Sequence, residues 1–342
     1  MKFRHVGLEA WGVYLPKERH TSDYISKETG IPKNIIEEKF GLVAKTVPGS
    51  EDHTVQMGAN ASFQALKRAN LKPEDIDVII WAGEVHAERP LVVNGIKLQQ
   101  LLGNPMKSWA FDVNQRCGTF LIGMLMAKSL IQTNPNINRI LVASGYRNSD
   151  LINYKNQRSR FMISLAASGV AAIIRADYQV NEILSITAIT DGRFVDDVYV
   201  PAGGTIQPIT ERTIKEGLNY LDVPDPEGLK ERLDKYSMNS FVKVIDNALR
   251  QSGYSRKDIG YLALLHMKRS AFEYVAKTIG VDPYTQSTYL EDIGHNGQND
   301  GIISIEYGIR DGKIKDGDLI VIVSAGIGWA WNAGVIRWGP PK

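Results

Sequence analysis

Ala65-Leu-Lys-Arg-Ala-Asn-Leu-Lys-Pro-Glu-Asp-Ile76 and Ala248-Leu-Arg-Gln-Ser-Gly-Tyr-Ser-Arg-Lys-Asp-Ile259 read alike. Each is the end of an amphipathic helix, a polar turn, and then Asp-Ile entering a strand. They begin at 65 and 248, an offset of 183. A second pair follows in the same order. Arg139-Ile-Leu-Val-Ala-Ser-Gly145 is answered by Leu319-Ile-Val-Ile-Val-Ser-Ala-Gly326, and Gly145 to Gly326 is an offset of 181. Two matches at nearly one offset predict a duplicated chain with halves 1–175 and 176–342. Working outward, continuous apolar runs at Val78–Ala82, Trp109–Val113, Ile140–Ser144, Val170–Ile174, Tyr261–Leu265 and Leu319–Val323 predict strands covered on both faces. Helical patterns at Thr54–Ala69, Gly118–Gln132 and Asn239–Gln251 lie between them. The alternation predicts an α/β fold. Glu84 and His266 then fall just past the ends of equivalent strands, where α/β sheets bind ligands.

Composition narrows the function classes. The 342 residues are 43% hydrophobic and 23% charged, enough for a large core and too apolar for bulk disorder. Forty Lys and Arg against 38 Asp and Glu leave +2, no basis for a nucleic-acid partner. The most apolar stretch, Leu319–Trp331, is interrupted by Ser324, Gly326 and Gly328 and predicts no membrane span. Met1-Lys-Phe-Arg-His5 leads into no signal-length apolar run. One cysteine cannot form an internal disulfide, and the expectation is a cytoplasmic protein.

That cysteine, Cys117, follows the strand 109–113 by Asn114-Gln-Arg116 and precedes the helical run from Gly118. A sulfur at a helix N-terminus, with Arg116 adjacent, is expected to favour the thiolate and to suit a nucleophile that takes an acyl group. An inert buried thiol is the competing reading. His266 ends the strand 260–265, and Asp292-Ile-Gly-His-Asn296-Gly-Gln-Asn-Asp-Gly301 reads as a polar loop before the helix 302–310. The glycines of Ser324-Ala-Gly-Ile-Gly-Trp-Ala-Trp331 let backbone approach a ligand, and their N–H groups suit an oxyanion. A tight turn between packing tryptophans explains the same residues.

Phe111-Asp-Val-Asn-Gln-Arg-Cys117-Gly-Thr-Phe, His266, Gly294-His-Asn296-Gly, Asp311-Gly-Lys-Ile-Lys-Asp-Gly-Asp318 and Gly326-Ile-Gly-Trp-Ala-Trp-Asn-Ala-Gly-Val-Ile-Arg-Trp338 together resemble the thiolase superfamily. The branch is that of ketoacyl-ACP synthase III and HMG-CoA synthase, and the likeness runs from about Val6 to Trp338. The resemblance implies the thiolase fold, a duplicated five-layer αβαβα arrangement, usually homodimeric. It implies that Cys117 becomes the acyl-enzyme. His266 and Asn296 would stabilise the enolate of a malonyl thioester, and the backbone N–H groups of Cys117 and Ile327 would form the other oxyanion hole. It implies acyl-CoA and acyl carrier protein as partners, and no metal or cofactor beyond the coenzyme A thioester. Lys268 and Arg269, just after His266, are candidate docking contacts for an acidic carrier, with an ordinary solvated helix end as the competing reading.

The sequence also departs from that family. Arg116 and Gly118 flank the cysteine where synthase III carries small residues, so Arg116 is a candidate carboxylate or phosphate contact. The expected His-Gly-Asn-Thr-Ser turn reads Gly294-His295-Asn296-Gly297-Gln298, where His295 either substitutes for the missing histidine or, as expected here, faces solvent. Thr21-Ser-Asp-Tyr24-Ile25 lacks the tryptophan that stacks on the coenzyme adenine, leaving Tyr24 as the candidate replacement. Trp81-Ala-Gly-Glu84 resembles the HMG-CoA synthase pattern, in which the glutamate is an acid/base. The leading expectation is decarboxylating Claisen condensation. Non-decarboxylating condensation through Glu84, acyl transfer to an alcohol or amine, and a non-catalytic scaffold compete with it.

Overall fold

The computed structural model describes residues 4–84, 86–103 and 106–341; Met1–Phe3, part of the stretch read for a signal, lie outside them. The strands are β1 (Val6–Tyr14), β2 (Arg19–Thr21), β3 (Ala44–Thr46), β4 (Val78–Ala82), β5 (Trp109–Val113), β6 (Arg139–Tyr146), β7 (Ser168–Ala176), β8 (Glu182–Thr190), β9 (Ile259–Leu264), β10 (Leu319–Gly326) and β11 (Ala330–Arg337). The helices are α1 (Ser22–Thr29), α2 (Lys33–Glu38), α3 (Thr54–Ala69), α4 (Asn94–Leu101), α5 (Thr119–Thr133), α6 (Glu211–Lys215), α7 (Pro226–Arg232), α8 (Met238–Gln251), α9 (Arg269–Thr278) and α10 (Asp300–Arg310).

Nine strands form one mixed sheet in the order β5-β4-β6-β7-β1-β8-β11-β10-β9. Strands from before residue 177 occupy one side and later strands the other. The two sides meet at β1 and β8, where Gly7 pairs with Glu182. The alternation of side chains shows how this sheet is layered. Val78, Ile80, Val142 and Ala172 face a core shared with Tyr261, Ala263, Ile320 and Ile322 from the other half. Their neighbours Ile79, Trp81, Leu141 and Ala171 face a second core with α3 and α4. Leu262, Leu264, Val321 and Val323 face a third with α8 and α9. The shared core contains α5 and α10. The order is therefore helices, strands, helices, strands, helices, a thiolase fold.

Helix composition follows the layer. From Thr119 to Lys128, α5 has no exposed residue on any face, as a helix between two strand layers requires. Outer helix α8 buries only one stripe, Phe241, Val244, Ile245, Ala248 and Leu249. All six expected strands are present, with ends shifted by a few residues. One expectation is corrected. β5 is the sheet's edge, and it is not covered on both faces: Trp109 is 52% exposed and Asp112 is exposed.

Candidate active site

The N-terminal half brings up a thiol and a carboxylate. Cys117 sits in a one-turn 3-10 segment, Arg116–Gly118, between β5 and α5. The Gln115 N–H donates to Thr119 Oγ1 at 2.6 Å, and that hydroxyl donates to the Arg116 carbonyl at 2.6 Å. From β11, Asn332 Nδ2 donates to Gln115 Oε1 at 2.7 Å and to the Gly118 carbonyl at 2.8 Å. The turn is thus held from both ends. Gly326 lies against it: a Cβ there would stand 2.8 Å from the Gln115 carbonyl oxygen and 3.0 Å from the Cys117 nitrogen, so only glycine lets β10 come this close. Ile327, the expected second oxyanion-hole residue, follows directly.

Glu84, just past β4, is buried. The Cys117 thiol donates to its Oε1 at 3.4 Å, and Asn148 Nδ2 donates to its Oε2 at 2.8 Å. The Arg116 guanidinium is 3.8 Å from Oε2 with its side chain 46% exposed. This corrects the expected thiolate. Burial, and then the charge and hydrogen bond of Glu84, push the Cys117 thiol well above its ordinary range, against the opposing pull of Arg116. A helix terminus is worth a fraction of a charge. Here it is outweighed by desolvation and a full carboxylate in contact.

The C-terminal half brings up two imidazoles on one buried aspartate. Asp300, the first residue of α10, is fully buried. Its Oδ2 accepts from the backbone N–H of His266 at 2.8 Å and from His295 Nδ1 at 2.6 Å; its Oδ1 accepts from the backbone N–H of Asn296 at 2.8 Å. Three donors satisfy a charge that would otherwise be very costly to bury. His266, two residues past β9, donates Nε2–H to the Gly41 carbonyl at 3.1 Å, and its Nδ1 has no partner among the described residues. Burial pulls this imidazole down to about 4, overcoming Asp300, so it is neutral at neutral pH.

The turn 294–297 differs from the reading of the sequence. Gly294 has φ +73° and no room for a Cβ, which would stand 2.7 Å from Lys45 and from the Ser164 carbonyl oxygen. His295 pairs its backbone with the strand-like segment at Leu165. That segment is held in turn by fully buried Lys45, whose ammonium donates to the Ile163 and Leu165 carbonyls at 2.8 Å each. The outcome is a correction for two residues. His295 is not in solvent: its side chain is 12% exposed and lines the main cavity. The Asn296 amide is engaged elsewhere. Its Nδ2 donates to the carbonyls of Ile293 and Gly294 at 3.2 and 3.3 Å, and its Oδ1 accepts from Thr46 at 3.3 Å.

The two halves meet at a cavity of about 690 Å³. Cys117, His266 and His295 line it, and among the described residues Asn296 and Glu84 do not. Its apolar wall includes Phe161, Leu229, Leu233 and Phe241, with α7 contributing Leu229. Lys268 lines it too, its ammonium 5.6 Å from the centre of the Phe40 ring. Arg269 is tied back to Glu291 at 2.5 Å and stacks on Tyr289, so its guanidinium already has partners. Ile327 and Trp329 line both this cavity and a smaller one of about 330 Å³, where Arg116 is found. Tyr24 is exposed and stacks on His20 at 4.1 Å. Sequence reasoning missed Asp300 and Asn148. Asp300 opens a helix, where an acidic residue ordinarily signals only dipole complementarity.

Two family models match in register with these elements. The model for 3-oxoacyl-[acyl-carrier-protein (ACP)] synthase III matches residues 111–192, and that for its C-terminal part matches residues 249–338, together half the chain. The chain belongs to the synthase III family. A β-ketoacyl-[acyl-carrier-protein] synthase III of Symbiobacterium thermophilum is 25% identical over 99% of this chain and all of its own length. The 3-oxoacyl-[acyl-carrier-protein] synthase III of Aquifex aeolicus superposes with a TM-score of 0.83 at 19% identity, covering 97% of this chain and all of its own. Xanthomonas campestris OleA, crystallised with lauric acid and lauroyl-CoA, gives 0.82 at 16% identity, covering 98% of this chain and all of its own. This synthase III relative is an acyl-condensing enzyme, an acyltransferase by class. Among the described residues no helix is long and apolar enough to cross a membrane.

Proposed function

We propose that the chain condenses acyl thioesters through an acyl-enzyme on Cys117. One observation carries this reading: the Cys117 thiol lines the same cavity as two imidazoles while its proton is directed at a buried carboxylate. In the first half-reaction Glu84 takes the thiol proton as sulfur attacks the carbonyl of an acyl-CoA. The new C–S bond forms, the bond to coenzyme A breaks, and the proton leaves on the departing thiol. Backbone N–H groups of Cys117 and Ile327 are the proposed hole for the oxyanion. On the reading the family implies, the second half-reaction would have a malonyl thioester lose CO2 and its enolate carbon attack acyl-Cys117 and expel the sulfur, with the thiolate taking up a proton from solvent, because the first proton left on coenzyme A. No cofactor beyond the thioester takes part, and the reaction is cytoplasmic. Lys268, at the cavity, is the proposed contact for the acidic carrier.

Glu84 favours a second reading, condensation without decarboxylation, because a carboxylate in contact with the nucleophile can exchange protons through the cycle. Support for a homodimer is the β5 edge: its outer ladder is unpaired in the sheet order, Trp109 stacks on Phe111, and Ile96 is exposed on α4, which packs against β5. The test of the acyl-enzyme is intact-protein mass after incubation with a series of acyl-CoAs. The expected result is one thioester adduct that is absent from Cys117→Ala; no adduct from any acyl-CoA or acyl carrier protein thioester overturns the reading.

A further inference from the structure

In the carried-over mechanism the second substrate is held by N–H donors on His266 and Asn296. Neither is free to donate in this chain. The Asn296 amide donates to Ile293 and Gly294, and the one N–H of neutral His266 donates to Gly41. The polar group the C-terminal half offers the cavity at this turn is instead His295. Its Nδ1–H is bound to the Asp300 carboxylate at 2.6 Å, which leaves Nε2 as a lone pair. An imidazole fixed in this tautomer by a buried carboxylate is a proton acceptor, and the carboxylate stabilises the imidazolium that forms.

We propose that His295, held by Asp300, is the general base of the second half-reaction, and that the second substrate is a nucleophile that surrenders a proton and not CO2. The proposal rests on the acyl-Cys117 reading and chooses against decarboxylation. The step is balanced. The X–H proton of the acceptor passes to His295 Nε2, and the X–C bond to the acyl carbon forms. The C–S bond to Cys117 breaks, and the imidazolium returns the proton to sulfur. X is the α-carbon of a second thioester or the oxygen or nitrogen of an alcohol or amine; the chemistry asked of His295 is the same. The backbone of His295 is fixed to Ser164 and Ala166 at 2.8 and 2.9 Å, and the ring is 6.3 Å from Tyr146, so the base is preorganised. The titratable groups around it are Asp300 on α10, Tyr146 on β6, His266 after β9, Lys45 on β3 beneath Gly294, and Cys117 before α5.

The experiment loads Cys117 from an acyl-CoA, removes free thioester, and follows discharge of the acyl-enzyme by intact mass. The acceptors are a saturated acyl-CoA, a primary alcohol or amine, and malonyl-CoA. Expected are normal loading of His295→Gln and discharge by the saturated thioester or by the alcohol or amine. That discharge falls by about 10² or more in H295Q. The product, a 3-oxoacyl thioester or an ester or amide, tells the two sources apart. The wild-type rate should fall as pH is lowered, because the base must be unprotonated, and H295Q should lose that limb. Added imidazole should restore discharge in His295→Ala. Discharge by malonyl-CoA alone, or at the wild-type rate in H295Q, overturns the proposal and leaves the acyl-enzyme reading standing. Failure of Cys117 to load removes both. Asp300→Asn strips a fully buried carboxylate and threatens the fold, so the His295 variants carry the test.

Discussion

The strand ends of β4 and β9 occupy equivalent places in the two halves, yet they handle charge in opposite ways. After β4 comes Glu84, whose partners are one amide, one distant guanidinium and the thiol itself. After β9 comes His266, whose backbone is tied to Asp300, a carboxylate saturated by three N–H donors. Glu84 therefore has fewer hydrogen-bond donors than Asp300. Asp300 is a fully engaged carboxylate that orients what surrounds it. The two sides of the sheet supply similar frames. The number of donors around each carboxylate separates the half whose carboxylate contacts the thiol from the half whose carboxylate positions imidazoles.

The sharpest way to break this comparison is to remove the nucleophile. Cys117→Ala should abolish acyl loading and turnover, seen as loss of the mass adduct, with the fold intact by circular dichroism. Residual turnover at more than about one-thousandth of wild type would mean that the N-terminal half does not supply the attacking group. Next, Glu84→Gln keeps the shape but cannot take a proton. Loading of Cys117 should slow by about 10²–10⁴ in rapid-quench mass measurements. Loading at the wild-type rate would reduce Glu84 to a structural partner of Asn148.

The C-terminal half makes the complementary prediction in stability. His266 titrates at about 4 in the folded protein against about 6.5 when unfolded. The unfolded chain therefore binds the extra proton first, and stability should fall as pH drops from about 6.5 toward 4, by about 3 kcal/mol in all. Urea unfolding across that window should show a shallower loss in His266→Gln than in wild type. His20, also pulled down to about 4 by burial, contributes in the same window, so the difference between the two proteins is the quantity to read. The smallest effect belongs to Asn296→Ala. It removes buried hydrogen bonds and should destabilise the fold by about 1–2 kcal/mol, measured by urea unfolding. Acyl-enzyme discharge should change less than tenfold; a larger loss would return Asn296 to the role its family position implies.

Much of this was legible in the sequence, with identifiable gaps. Uninterrupted apolar runs such as Val78–Ala82 and Leu319–Val323 were readable because central strands are apolar on both faces. β5 has a similar run and was misjudged, since an edge strand with an apolar outer surface has the same local pattern as a covered one. β8 was missed because Ser185 and Thr187, which donate to carbonyls of α8, interrupt its apolar run. At the site, Cys117, His266 and Glu84 were found from motif and offset, while His295 and Asn296 exchanged places. Adjacent residues in a tight turn point in different directions, and which one reaches the cavity depends on the turn's backbone and on Asp300.

The sequence alone determined the α/β architecture, the family, and the presence of a single thiol before a central helix. All of these are encoded in spacing and period along the chain. Only the tertiary structure decided that the thiol holds its proton, that Asn296 is a turn residue, and that His295 meets the cavity on a carboxylate. The physical reason is range: desolvation and hydrogen bonding act over a few ångströms, and the groups that impose them here lie 33 positions from Cys117 and 34 from His266. Neither separation is visible to a pattern read along the chain.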